Sequence, residues 1–272
     1  MNSQSPIEPD QPVTQPRRRF KVVPMRLLLP NIVTLLALCA GTTSIRMGVA
    51  GRYELAVGLI VLAAVFDALD GRIARFLKGT SRFGAELDSL ADFVNFGVAP
   101  AMLVFVWSLD TLKNLGWIVA LAFALCCALR LARFNVALDD DDAPAWKANF
   151  FSGVPAPAGA AIALLPLYLG FHDVIDGPTA APFILVYMAF AASLMVSKVP
   201  TWSGKNLGKQ ISSNMVLPVL LVAVLFAVLL VSYPWFTMSA LVTCYIATFP
   251  LSYRHFKRLE AAEAASKDES AS

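Results

Sequence analysis

The sequence predicts an all-α integral membrane protein, and its composition and the distribution of its charges support this fold class. Hydrophobic residues make up 57% of the 272 residues and charged residues only 15%. Soluble domains average about 25% charged residues, and the mean hydropathy here is +0.64. So few charges cannot cover the surface of a water-soluble enzyme. With only 4 cysteines, the composition also excludes a disulfide scaffold.

Eight apolar runs predict eight membrane spans. A hydrocarbon core of about 30 Å requires roughly 20 helical residues, and Pro or Gly stands near several run ends, for example at Pro30 and Pro234. The predicted spans cover 31–50, 53–76, 85–108, 114–136, 155–171, 181–198, 214–232 and 235–252.

Positive charge predicts the orientation. If the N-terminus is placed in the cytoplasm, 19 of the 22 Lys and Arg residues lie on the cytoplasmic side, as the positive-inside rule requires. Both termini and the active site are therefore expected to face the cytoplasm. The predicted organisation is a disordered tail (1–24), a transmembrane core (25–200), two additional transmembrane helices (201–253) and a cytoplasmic tail (254–272).

Four acidic residues stand at the predicted cytoplasmic ends of spans two and three. Inserting an ionised Asp near the middle of the bilayer costs about 2.5–3.5 kcal/mol, and acids within spans usually mark a functional site. Asp67 and Asp70 are three residues apart and Asp88 and Asp92 four apart, so each pair shares one helix face. The short loop between the spans makes them antiparallel neighbours, which allows the two faces to converge. Convergent carboxylates repel one another, and oxygen ligands suit magnesium or manganese. We therefore predict two divalent cations here, with neutralisation by Lys and Arg as the alternative.

Further residues around the acids favour a phosphate-bearing substrate. Gly71 and Gly84 allow a ligand to approach the backbone closely. Arg75 follows Asp67 by eight residues, about 12 Å along a helix, where its guanidinium can meet a phosphate. Metals, glycines and an arginine at a membrane interface together indicate chemistry on a phosphoanhydride.

This stretch resembles the signature of the CDP-alcohol phosphotransferases, D-x2-D-G-x2-A-R-x8-G-x3-D-x3-D. The resemblance implies a six-helix transmembrane core, here with two further C-terminal helices, paired as a homodimer. The eight fixed positions are Asp67, Asp70, Gly71, Ala74, Arg75, Gly84, Asp88 and Asp92.

Flanking segments over roughly 25–200 resemble the branch of the family that uses serine. They include RLARFN from Arg130, GVPAPA from Gly153 and LMVSK from Leu194. Asn95 is a departure, because such proteins often have Ser there. The resemblance implies transfer of a phosphatidyl group from CDP-diacylglycerol to L-serine at the cell (inner) membrane. It implies no nucleic-acid partner.

The resemblance also implies roles for individual residues. Asp67 and Asp88 would bridge both metals, with Asp70 completing one site and Asp92 the other. Asp92 is the implied general base, and the only two histidines fall in an outer loop and the C-terminal tail. The residues expected to bind CDP-diacylglycerol are Asn31, Thr34, Gly71, Arg75, Ser81 and Gly84. For Asn31 and Thr34, an interhelical hydrogen bond or a cap is the alternative.

The carboxylate of serine needs a cationic partner. Arg130 and Arg133 on span four and Lys198 at the end of span six are candidates, with Asn135 beside them. Snorkelling anchors are the alternative for the cations.

Two other functions stay open. The family signature also fits a sister enzyme whose acceptor is glycerol 3-phosphate, inositol phosphate or choline. A cation transporter could use four intramembrane acids, but transporters more often have broken helices and internal symmetry, and neither is evident here.

Overall fold

The structure is a computed structural model that describes residues 25–77, 79, 81–137, 150–197, 200–202, 216–254 and 257. The predicted N-terminal tail, nearly all of the C-terminal tail and the acceptor candidate Lys198 lie outside the described residues.

The first two helices, α1 (Met25–Val49) and α2 (Tyr53–Phe76), form a hairpin closed by a turn at Gly51, where φ is +73°. Small residues let these helices approach closely, and Ala37, Ala40 and Ala63 are buried between them. The start of span one, predicted near residue 31, lies within a few residues of the membrane-crossing segment Leu28–Val49, while the helix itself begins earlier and contains Pro30. A proline near a helix start costs only one backbone hydrogen bond, so the helix tolerates it.

Span three is one continuous rod with three parts: α3 (Arg82–Asp92), a π-helical segment (Phe93–Val98) and α4 (Ala99–Trp107). It begins at Arg82 rather than 85, because Ser81 caps the helix. The backbone N–H of Gly84 donates to Oγ of Ser81 over 3.0 Å, which satisfies one of the free N–H groups at the helix start. The π-helical segment was not predicted.

The remaining helices follow the other predicted spans with small shifts, and span five is divided in two. They are α5 (Asn114–Ala137), α6 (Ala156–Ala163), α7 (Leu165–Gly170), α8 (Ala181–Val196), α9 (Val216–Ser232) and α10 (Pro234–Ala247).

A short strand pair was also not predicted. Strand β1 (Phe150–Ser152) pairs antiparallel with β2 (Pro200–Trp202), with Phe150 opposite Trp202. Because β1 precedes α6, β2 follows α8, and these two helices pack against each other, the strands meet at one end of the protein.

Length and hydropathy support a membrane protein. Within the described residues, four helical segments are long and apolar enough to cross a bilayer: Leu28–Val49, Arg82–Trp107, Asn114–Val136 and Pro234–Arg254. Helix α2 has 24 residues, but its C-terminal half carries the acidic pair and two arginines. Helices α8 and α9, with 16 and 17 residues, are shorter than the roughly 20 residues of a straight span. The all-α class is confirmed apart from the strand pair, and the count of eight spans stays a prediction.

The core lies between α4, α5, α6 and α8, around wholly buried side chains such as Leu103, Phe123 and Met188. The C-terminal pair is different. None of the described residues of α9 is buried, and α10 buries Thr237, Ser239 and Val242. The packed core thus supports the acid-bearing helices.

Candidate active site

Three acids meet where the end of α2 faces the start of α3. One carboxylate oxygen from each of Asp67, Asp70 and Asp88 lies within 4.8 Å of the other two. Asp70 is only 5% exposed, whereas Asp67 and Asp88 are half-buried. The three side chains thus form a compact oxygen cluster, which we call the acid triad.

Asp92 lies beside the acid triad. Its side chain is in hydrogen-bonding contact with Asp67, but it is not one of the three mutually close acids. Asp92 is the last residue of α3 and directly precedes the π-helical segment. Its position is therefore set by the junction between two kinds of helix.

The donor set fits a divalent cation. Asp88 is under electrostatic repulsion from Asp70 and Asp67, so the acid triad needs protons or a counter-ion to stay together. Hard cations such as magnesium prefer carboxylate oxygens as ligands. Among the described residues, the cation whose charge acts on Asp92 is Arg130. The acid triad can therefore hold a divalent cation.

Helix α1 orients one member of the triad. The hydroxyl of Thr34 lies 2.7 Å from Oδ2 of Asp70 and 3.1 Å from the carbonyl oxygen of Pro30. A hydroxyl has one proton to donate, and the shorter contact is to the carboxylate. This is the interhelical hydrogen bond expected as the alternative role for Thr34, and it restrains the side chain of Asp70 beside the other acids.

A cavity of about 170 Å³ opens beside the acid triad, between α1, α2 and α3. All six residues predicted to bind the donor line it, together with two members of the triad. The complete lining is Pro30, Asn31, Thr34, Asp70, Gly71, Ala74, Arg75, Gly79, Ser81, Gly84, Ala85 and Asp88.

Two glycines keep this cavity open. A Cβ at Gly84 would lie 2.9 Å from Oδ1 of Asn31 and 3.1 Å from Oγ of Ser81, too close for any other residue without a shift of these groups. A Cβ at Gly71 would lie 3.6 Å from Nη1 of Arg75, so the guanidinium folds back over this glycine. Polar groups from three helices therefore surround one small space.

The predicted acceptor residues Arg130 and Arg133 lie in different surroundings. Arg130 interacts electrostatically with Asp92, and its guanidinium carbon lies 5.4 Å from the ring centroid of Phe134. Nη1 of Arg133 donates to the carbonyl oxygen of Val196 at the end of α8, over 2.8 Å. The structure thus brings Arg130 to the acids, while Arg133 contacts a helix end.

Asn135 ties two helices together. Its Nδ2 donates to Oγ of Ser89 over 2.9 Å, which joins α5 to α3 beside Asp88. Ser89 was not predicted, and its position next to Asp88 was the only signal for it. Gly79 and Ala85 line the cavity without having been predicted either, since small residues carry no chemical signal.

Comparison with protein families identifies the chain. Residues 27–197 match the family described as CDP-alcohol phosphatidyltransferase. Residues 214–250 match a second description, CDP-alcohol phosphatidyltransferase 2. The first match covers all four acids and the whole cavity, and the second covers α9 and α10.

Curated relatives agree with this result. Proteins named CDP-diacylglycerol–serine O-phosphatidyltransferase include one from Mycobacterium leprae, 45% identical over 175 residues, which are 64% of this chain and 57% of the relative. One from Mycobacterium bovis is 38% identical over 229 residues, 84% of this chain and 78% of the relative. One from Helicobacter pylori is 34% identical over 173 residues, 63% of this chain and 70% of the relative. The chain belongs to the CDP-alcohol phosphatidyltransferase family, and the resemblance drawn from its acidic motif is confirmed.

Proposed function

We propose that the chain transfers the phosphatidyl group of CDP-diacylglycerol to the hydroxyl of L-serine, giving phosphatidylserine and CMP. The observation that carries this proposal is the cavity that joins the acid triad to every residue predicted to bind the donor. The acceptor is proposed from the names of the relatives, which specify serine, and from an arginine beside Asp92.

Asp67, Asp70, Asp88 and Asp92 would hold two divalent cations, magnesium or manganese. When bound, magnesium or manganese would stabilise the charges on the attacking and leaving oxygens. The hydrogen bond from Thr34 holds Asp70 in the orientation that this role needs.

The diphosphate of the donor occupies the cavity between α1, α2 and α3. Arg75 supplies a guanidinium, which pairs well with phosphate oxygens. The N-terminus of α3, just after Ser81, adds backbone N–H groups that favour an anion. Gly71 and Gly84 leave room for the ligand, and Asn31 offers its amide from α1. The acyl chains stay in the bilayer.

Asp92 acts as the general base. Its carboxylate accepts the proton of the serine hydroxyl as the serine oxygen bonds to the lipid-side phosphorus. The bond from that phosphorus to the bridging oxygen breaks, and CMP leaves with that oxygen. General-base assistance of this kind contributes about 10²–10⁴-fold. The positive charge of Arg130 acts on Asp92.

The serine carboxylate pairs with Arg130, since this cation faces Asp92. Arg133, Asn135 and Lys198 complete the proposed acceptor pocket. Arg133 and Asn135 support this pocket through the helix contacts described above.

We further propose that the site and both termini face the cytoplasm and that the protein is a homodimer. The core, the two added helices and the tails are arranged as in the sequence prediction. The charge distribution supports the orientation.

A comparison of acceptors tests the reaction. Purified protein in lipid nanodiscs is incubated with CDP-diacylglycerol, manganese and one labelled alcohol at a time. We expect label from serine in lipid, with an equal amount of CMP, and background levels with EDTA. If glycerol 3-phosphate, inositol phosphate or choline labelled the lipid and serine did not, serine would be the wrong acceptor. No CMP with any alcohol would contradict an enzymatic function.

A further inference from the structure

A buried amide lies just beyond the acids. Asn95 belongs to the π-helical segment and is 0% exposed. Within the described part of the chain, neither its Oδ1 nor its Nδ2 has a hydrogen-bond partner. Buried polar groups in folded proteins are nearly always hydrogen-bonded, so both atoms require a partner that the neighbouring side chains do not supply.

Ser44 on α1 presents the same problem. It is 0% exposed, and its Oγ is likewise unpaired among the described residues. Gly41 precedes it by three residues and lies on the same face of α1. A Cβ at Gly41 would collide with Oδ1 of Asn95, so the amide of Asn95 is in contact with the stretch of α1 that carries Ser44.

We infer that Asn95 and Ser44 bind a buried water molecule between α1 and the π-helical segment, and that this water site positions Asp92. The three unpaired atoms match the needs of water, which requires two to four polar partners in a buried site. Nδ2 donates only, Oδ1 accepts only, and the hydroxyl of Ser44 can do either. A single water molecule within hydrogen-bonding reach of all three atoms would satisfy them.

The connection to Asp92 is short. Asp92 directly precedes the π-helical segment, and Asn95 follows it within one helical turn. The other side of the segment is held at Gly97, where a Cβ would lie 3.1 Å from Cβ of Cys127 on α5. The segment is thus packed closely against both α1 and α5, and hydrogen bonds to Asn95 would add a directional restraint on its rotation. π-Helical turns are often associated with functional sites. The role of this water site in catalysis rests on the proposed function of Asp92.

A double-mutant cycle tests the shared water without any activity measurement. Asn95→Leu, Ser44→Ala and the double variant are compared by thermal unfolding in detergent. If one water molecule bridges both groups, the Tm loss of the double variant is smaller than the sum of the single losses. Additive losses would overturn the water site. Thr43→Ala is the matched control, because the hydroxyl of Thr43 is bonded to the Cys39 carbonyl, and we expect additivity with Asn95→Leu.

Kinetics test the positioning of Asp92. Asn95→Ala and Asn95→Ser leave side chains of similar size and differ by one hydroxyl that can hold the water. We expect Asn95→Ala to lower kcat about tenfold without changing the KM for CDP-diacylglycerol, since small misplacements of catalytic groups have such effects. Asn95→Ser should recover several-fold of this loss.

Two outcomes would overturn the positioning role. One is equal kcat values for Asn95→Ala and Asn95→Ser, and the other is Tm coupling with parental kcat in every variant. Either would leave the proposed reaction intact, whereas a fully active Asp92→Asn variant would instead remove Asp92 as the base.

Discussion

The two walls of the site differ in how many of their polar groups face the substrates. The donor wall, formed by α1, α2 and α3, lines one cavity with side chains and glycines from all three helices. On the acceptor wall, formed by α5, Arg133 bonds to the end of α8 and Asn135 bonds to Ser89. Among the described residues of this wall, Arg130 is the cation whose charge acts on Asp92. The proposed donor site therefore has many polar groups and the proposed acceptor site few.

The largest effect is expected where the donor wall holds the acid triad. Asp88→Asn replaces a proposed carboxylate ligand with a neutral amide, and we expect kcat/KM to fall about 10³-fold, the upper end of the cost of removing one group that stabilises developing charge. Glu86→Gln is the matched control, because Glu86 is exposed on the same helix. Measurement of CMP release should show parental activity for the control, and equal losses in both variants would contradict a specific role for Asp88.

An effect of comparable size is expected between the walls, at Asp92. Asp92→Asn should lower kcat about 10²–10⁴-fold, the usual contribution of a general base. The binding of CDP-diacylglycerol should change little, because three acids of the donor wall stay in place. Single-turnover CMP release and equilibrium binding of labelled donor separate the two quantities. Near-parental turnover would exclude Asp92 as the base.

The next largest effect is expected at Arg75 on the donor wall. Arg75→Ala removes a charged partner for phosphate, and a hydrogen bond of this type contributes about 1.5–3 kcal/mol. We expect the KM for CDP-diacylglycerol to rise about 10- to 100-fold, with the KM for serine unchanged. Arg72→Ala is the control, because Arg72 is exposed on the same helix and does not line the cavity. A rise in the serine KM instead would assign Arg75 to the other wall.

The smallest effect is expected on the acceptor wall. Arg130→Ala should raise the KM for serine about tenfold, as expected for one charge-assisted contact, with little change for the donor. Arg133→Ala should lower Tm and leave the serine KM near the parental value, because its guanidinium bonds to the carbonyl of Val196. If the two variants gave the reverse pattern, the acceptor would be bound by Arg133.

Much of the donor wall was predictable because its residues are close in sequence. Three- and four-residue spacings place Asp67 with Asp70 and Asp88 with Asp92, and a short loop brings the two helices together. The acceptor wall depends on contacts between distant segments, such as Arg133 with Val196 and Asn135 with Ser89, which no local spacing reveals. The donor wall was therefore predicted more completely than the acceptor wall.

The fold divides in a similar way. Apolar runs predicted the helices because a membrane-spanning segment must hydrogen-bond its backbone polar groups internally, as a helix does, and present apolar side chains to the lipid. They did not predict the π-helical segment, because a change of helical register inside an apolar run leaves the composition unchanged. Helix α1 extends before the predicted span because Pro30 is tolerated within its first turns. The strand pair requires the packing of α6 against α8, which is a tertiary property.

Manganese binding tests the central claim most directly. Purified protein in nanodiscs is titrated with Mn²⁺ in the presence of CDP-diacylglycerol and followed by electron paramagnetic resonance. The account predicts two ions per chain with a spin-coupled spectrum, because two metals in such a site lie about 3.5–4 Å apart. Asp67→Asn should abolish the coupling, and Glu86→Gln should preserve it. Failure of the parent protein to bind manganese, or an unchanged coupled spectrum in Asp67→Asn, would contradict a metal site built on these acids.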